Sequence, residues 1–110
     1  MAVNAGSSPD NDPEERLLNM RAQLWWGARL ALQAGVVSLA RLDDAAYQRL
    51  RSELTAPTYK FTSNGKVQIE GKDDLKKRGL PSPDLADALN LALHARTRAR
   101  RRSASFGAVA

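Results

Sequence analysis

The chain has 110 residues and no cysteine, so it has room for one small domain and cannot use disulfides, thiolate metal sites or a cysteine nucleophile. Its 17 Lys and Arg against 12 Asp and Glu leave a net charge of +5, which suits a polyanionic partner. No basic stretch followed by an apolar run opens the sequence and no segment approaches the ~20 apolar residues that span a bilayer, so neither a secretory signal nor a membrane partner is expected, and a cytoplasmic setting fits.

Residues 1–12 are small and polar, without a hydrophobic period, and read as a loop. Asp12-Pro13-Glu14-Glu15 has the form of a helix start. Asp12 would cap, Pro13 suits the first helical position, and Glu15 stands where a capping-box carboxylate reaches back. A start near Asn19 fits the pattern equally. Leu17, Met20, Leu24, Ala28 and Ala31 follow at helical spacing, and Gly35, which tolerates the left-handed conformation, marks the end. Trp25 and Trp26 could stack bases, but adjacent large apolar residues on a helix are more commonly core plus partial cover.

Asp43 and Asp44 offer a second cap. Ala46, Tyr47, Leu50 and Leu54 give one face of a short helix, which Pro57 closes. The period then changes to two in Tyr59-Lys60-Phe61-Thr62 and Lys66-Val67-Gln68-Ile69, which makes a β-hairpin around Ser63-Asn64-Gly65. A two-residue Asn-Gly loop would put Phe61 and Val67 on opposite faces. A three-residue loop with Gly65 left-handed pairs Thr62 with Lys66. That register brings Phe61 opposite Val67 and Tyr59 opposite Ile69 on one buried face, and it is the register favoured here.

Gly71 to Gly79 holds one or two helical turns. Ser82 as cap with Pro83 behind it starts a last helix, with Leu85, Ala86, Leu89, Ala92 and Leu93 on its apolar side. Residues 96–110, rich in arginine, read as a basic disordered tail. His94 has no Cys or second His to share a metal and reads as a helix-surface side chain. Ser82 has no neighbouring base and reads as a cap rather than a nucleophile.

Asp84 and Asp87 are the residues with most chemical content. Three apart, they project from one helical face within the first turn and a half, and no base four residues further on neutralises either. Two carboxylates on a rigid element can hold Mg²⁺ or Mn²⁺ through oxygen. The helix dipole alone also favours Asp at this position.

The stretch KVQIEGKDDLKKRGLPSPDLADALNLAL, Lys66 to Leu93, resembles the end of the nuclease domain of phage terminase large subunits, a ribonuclease H-like fold shared with Holliday-junction resolvases. Asn19-Met20-Arg21-Ala22-Gln23-Leu24-Trp25 is similar to that family's Asn-x-Arg-Ala-Glu-x-Trp helix, with Gln23 where an acid is frequent. The resemblance spans residues 19–93. It implies an α/β class, an incomplete ribonuclease H-like fragment built of helix, short helix, β-hairpin and C-terminal helix, with residues 13–95 as the C-terminal part of a nuclease domain.

The activity it implies is metal-dependent cleavage of double-stranded DNA in genome packaging, in a bacterial host cell. Asp84 and Asp87 then stand as catalytic and metal-binding carboxylates, with Asp84 placed first, and Mg²⁺ or Mn²⁺ as the ion. Lys72, Lys76, Lys77, Arg78, Arg96, Arg98 and Arg100 become candidates for DNA phosphates. Strands bearing the family's first two metal-binding acids have no counterpart in the sequence, nor does the phosphate-cradling motif of its motor. The resemblance therefore implies little activity alone, and partners in the remainder of the large subunit and in a portal or small subunit. A non-catalytic basic DNA-binding or interaction module is the alternative.

Overall fold

A computed structural model describes residues 4–109, with side chains up to Arg101. The first helix, α1 (Met20–Gln33), starts at the later of the two candidate positions. Asn19 is extended, and its side chain accepts the Ala22 N–H at 3.0 Å. The Asp12 signature closes a single turn instead. Its carboxylate takes the N–H groups of Arg16 and Leu17, both at 2.9 Å, and its carbonyl takes that of Glu15, whose φ is +53°. Helix does not propagate from this turn, and the next residues instead bridge to a later strand. Leu17 forms a parallel bridge to Val67, with the Leu18 N–H on the Val67 carbonyl at 2.9 Å. At the far end Gly35 has φ +71°, a conformation that favours glycine, and the Val36 N–H reaches back to the Ala31 carbonyl at 3.2 Å.

The second helix, α2 (Asp44–Thr55), has Asp43 as its cap, accepting the Ala46 N–H at 2.8 Å. The hairpin β1 (Tyr59–Phe61) and β2 (Val67–Ile69) takes the three-residue-loop register: Phe61 faces Val67, Tyr59 faces Ile69, and Gly65 carries φ +79°. The expected buried face is only half buried. Val67 is 5% exposed, yet Tyr59 is 47% and Phe61 64% exposed. The reason is coverage, since α1 packs on β2 and leaves β1 at the edge. Tyr59 meets aromatic edges, Trp26 at 5.3 Å and Phe61 at 5.9 Å between ring centres, and the Arg29 guanidinium lies over its ring at 5.5 Å.

A one-and-a-half-turn helix, α3 (Lys72–Lys77), follows β2 and is anchored by fully buried Leu75. The last helix, α4 (Asp84–Val109), packs against both α1 and α2. Trp25, Leu50 and Ala86 form the core where the three meet, with Leu54, Ile69 and Leu89 around them. Trp26 is only partly covered, so the tryptophan pair divides into core and rim.

The start of α4 differs from the Ser82 cap expected. Ser82 donates its hydroxyl to Asp84 Oδ1 at 2.6 Å. The orphan N–H groups of Leu85 and Ala86 go to Glu53 Oε1 on α2, at 2.7 and 3.1 Å. Glu53 is buried, and Arg49 holds its other oxygen at 2.7 Å. A carboxylate at a helix N-terminus satisfies both the unpaired donors and the dipole. Beyond Arg96, where a disordered tail was expected, α4 continues as helix to Val109. Alanine and arginine, which dominate residues 95–102, are among the strongest helix formers.

Candidate functional site

The head of α4 meets the N-terminal turn of α1 and the first residue of α3 at one carboxylate. Asp87 has a side chain 23% exposed, whereas Asp84, on the outer side of the same turn, is 68% exposed. β2 runs through Glu70 and Gly71 directly into α3, which delivers Lys72 to the pair. Its Nζ lies 3.0 Å from Asp87 Oδ2 and 3.9 Å from Asp84 Oδ1. From α1, Arg21 Nη1 stands 3.8 Å from Asp87 Oδ1. Arg21 is itself fixed by two hydrogen bonds to the Glu70 carbonyl, at 3.1 and 2.9 Å, and its guanidinium lies over Trp25 at 5.5 Å. Burial pushes this guanidinium below its ordinary pKa, while Asp87 and Glu70 pull it back up.

The absence of a base within α4 thus did not leave the acids unneutralised. Two cations from other elements face them, and neither was assigned this role from sequence, although Arg21 sits in the Asn19-x-Arg21 motif. Asp87 Oδ2 is buried and accepts no aligned hydrogen bond, even with Lys72 close by. The ammonium 3.0 Å away offsets its charge, and a carboxylate oxygen of this kind can also serve a hard cation. Among the described residues no three His, Cys, Asp or Glu converge in a metal-holding group. Asp84 and Asp87 could offer such an ion two oxygen ligands, not a closed cage.

The basic candidates separate into three kinds. Lys72 belongs to the carboxylate site, and Lys76 and Lys77 are exposed on α3 nearby. Arg78 is occupied: it donates to both Glu70 oxygens at 2.9 and 2.6 Å and to the Ala56 carbonyl at 2.9 Å. That contact holds the Glu70 carboxyl far below its usual range, at about 2. Arg96, Arg98 and Arg100 lie about 14–20 Å along α4 from Asp87 at 1.5 Å per residue, too far to touch the paired carboxylates. Arg96 reaches the Val36 carbonyl at 3.4 Å. Arg98 stands 3.9 Å from Asp10, which also lies 3.0 Å from His94. His94, expected on the helix surface, is buried against this N-terminal loop.

No family model and no curated protein matches the chain, but solved structures do. The elements and their order are those of a partial ribonuclease H-like fold, similar to the C-terminal part of a phage large terminase nuclease domain. The matching structures include forms of the nuclease domain of the large terminase subunit gp2 of bacterial virus Sf6. A lysine-to-alanine mutant with manganese aligns at TM-score 0.64 and 29% identity, over 82% of this chain and 51% of that one. The same mutant with manganese and beta-thujaplicinol aligns at TM-score 0.67 and 26% identity, over 84% and 51%. The domain without that substitution aligns at 0.59 and 28%, over 82% and 50%. The chain spans about half the length of the domains it matches. Among the described residues no helix is long and apolar enough to cross a membrane.

Proposed function

We propose that the head of α4 is the last carboxylate element of a metal-dependent nuclease that cuts double-stranded DNA during genome packaging in the cytoplasm of a bacterial host. The observation that carries this reading is the buried, undirected Asp87 Oδ2 flanked by Lys72 and Arg21, in a chain whose fold matches a terminase nuclease domain. Asp87 is ranked ahead of Asp84 because it is shielded and held by cations from two elements.

A Mg²⁺ or Mn²⁺ ion held by Asp87 and Asp84 would supply an activated water and stabilise the leaving oxygen. The chain's own residues contribute position and charge. Glu53 fixes the first turn of α4, and with it the direction of Asp87. Arg21 ties the end of β2 to the same carboxylate. Lys72 balances its charge before an ion arrives and afterwards is free to face a phosphate, with Lys76 and Lys77 beside it. A two-metal site draws acids from several elements, so the activity belongs with the rest of a large subunit, and with the portal or small subunit that such a subunit serves.

The non-catalytic alternative has one observation in its favour: Lys72 and Arg21 already neutralise Asp87, as in a purely structural ion-pair cluster. Fusion of the chain to the complementary half of a matched nuclease domain separates the two. Mn²⁺-dependent cleavage that Asp87→Asn abolishes supports the nuclease. Salt-sensitive DNA binding with no cleavage supports the basic module. The unfused chain is expected to bind DNA weakly and not to cut it.

A further inference from the structure

Two turns and more along α4 from Asp87, the chain holds one of its own carboxylates as a ligand. Asp10, in the N-terminal loop, places Oδ2 3.0 Å from His94 Nε2 and 3.9 Å from Arg98 Nε. Its Oδ1 lies 2.6 Å from Gln23 Nε2 and 3.9 Å from Arg101 Nη2. Gln23 in turn accepts the N–H groups of Asp10 and Asn11, at 2.8 and 3.2 Å. Burial alone would raise the Asp10 pKa, but the Gln23 hydrogen bond and the charges of His94, Arg101 and Arg98 outweigh it and hold the acid below its usual value. One hydrogen-bond donor, Gln23 on α1, and three basic side chains of α4, His94, Arg98 and Arg101, therefore converge on one anionic group. That carboxylate comes from a loop without regular secondary structure.

The anion site opens into a cavity of about 440 Å³ between α1 and α4. Leu24, Trp26 and Leu93 form its apolar wall, and Arg96, Arg100 and Arg101 its cationic rim. Asn90 lines the same cavity. It is 1% exposed, and neither its amide nitrogen nor its carbonyl oxygen has a hydrogen-bond partner. A buried amide left in that state costs stability unless something else satisfies it. The combination of an oxyanion cluster, an apolar wall and an unsatisfied amide matches the three parts of a nucleotide: phosphate, sugar with base face, and base edge.

We infer that this is a nucleotide-phosphate site closed by Asp10 acting as an internal phosphate mimic. A phosphate, free or carried by a nucleotide, displaces the Asp10 carboxylate from His94, Arg98, Arg101 and Gln23, and residues 4–11 then detach from α1 and α4. Because Asp10 is tethered, it competes at a high effective concentration, and the wild-type chain binds its ligand correspondingly weakly. The site is separate from Asp84 and Asp87 and needs no metal ion.

The test is a titration in EDTA, followed by nuclear magnetic resonance of the backbone amides, the His94 ring and the arginine Nε groups. The probes are inorganic phosphate, a deoxynucleoside monophosphate and the unphosphorylated deoxynucleoside. Both phosphate-bearing probes are expected to shift His94, Gln23 and Arg101 together with residues 4–11. The nucleoside alone should do nothing. Asp10→Asn should bind the monophosphate about tenfold more tightly than wild type, and Arg101→Ala should weaken it. A monophosphate bound no better than inorganic phosphate would remove the base from the proposal and leave a bare phosphate site. Equal affinity in wild type and Asp10→Asn, or shifts spread over all the arginines alike, would overturn it. Should Asp10→Asn unfold, detachment of residues 4–11 by phosphate in the wild-type chain still decides the matter. If they stay in place at saturating phosphate, Asp10 is only an anchor.

Discussion

The Lys72 ammonium lies 3.0 Å from the Asp87 carboxylate and also within 3.9 Å of Asp84, so one cation bridges both acids of the α4 head. It stands where a divalent ion shared by the two carboxylates would have to bind. If so, lysine and metal compete. Lys72 is half exposed, and such a pair is worth up to about 1 kcal/mol. Lys72→Met should therefore raise Mn²⁺ affinity by no more than about fivefold, measured by calorimetry, while lowering the stability of the metal-free chain slightly. Weaker Mn²⁺ binding in the variant would mean that Lys72 supports the ion's site rather than filling it.

Acid should destabilise the fold through a different pair. Arg78 hydrogen-bonds Glu70 and lowers its pKa from 4.5 to about 2. Between those values the folded chain keeps the carboxylate ionised while the unfolded chain takes up a proton, so stability falls as pH drops. The contribution is complete above about 4.5 and is lost on approach to about 2. Glu53 and Asp10, both held below their usual values, act in the same direction. Urea unfolding across this range should show the loss, and Glu70→Gln should remove part of it. A pH profile unchanged by that substitution would show that the Glu70–Arg78 contact does not form in solution.

Glu53 caps α4 from 32 residues away in sequence. Replacing it by glutamine keeps the shape but removes the charge that the Leu85 and Ala86 N–H groups and Arg49 address. Hydrogen bonds to charged groups contribute about 1.5–3 kcal/mol each, and a destabilisation of about 2 kcal/mol is expected. Thermal melting of Glu53→Gln checks it, with Glu14→Gln, an exposed acid paired only to Arg16, as the neutral control. Equal melting of the two variants would leave α4 without this cap.

Local signals in the sequence translated well into local structure. The alternation around Ser63-Asn64-Gly65 fixed the hairpin register, Asp43 caps α2, and Gly35 ends α1. What was illegible depends on distant partners. The Asp12-Pro13 signature is sound chemistry, but Leu17 forms a parallel bridge to Val67 where a helix would have to extend. Tyr59 and Phe61 alternate as a buried face should, yet α1 is too narrow to cover β1. Glu53, Arg21, Lys72 and His94 each gain meaning only from a partner on another element, and no periodicity within a helix announces such a partner. At the site, the spacing of Asp84 and Asp87 gave the shared helical face, and the fold added the cations and the ranking between the two.

The central claim, that Asp87 with Asp84 ligates a divalent ion, is tested most directly by paramagnetic broadening. Mn²⁺ is titrated into the isotope-labelled chain while the amide signals are followed. The account predicts that broadening begins at Asp84 to Ala88 and at Gly71 and Lys72, and that Asp87→Asn abolishes it while Glu14→Gln does not. Broadening absent from the head of α4, or undiminished in Asp87→Asn, would contradict it.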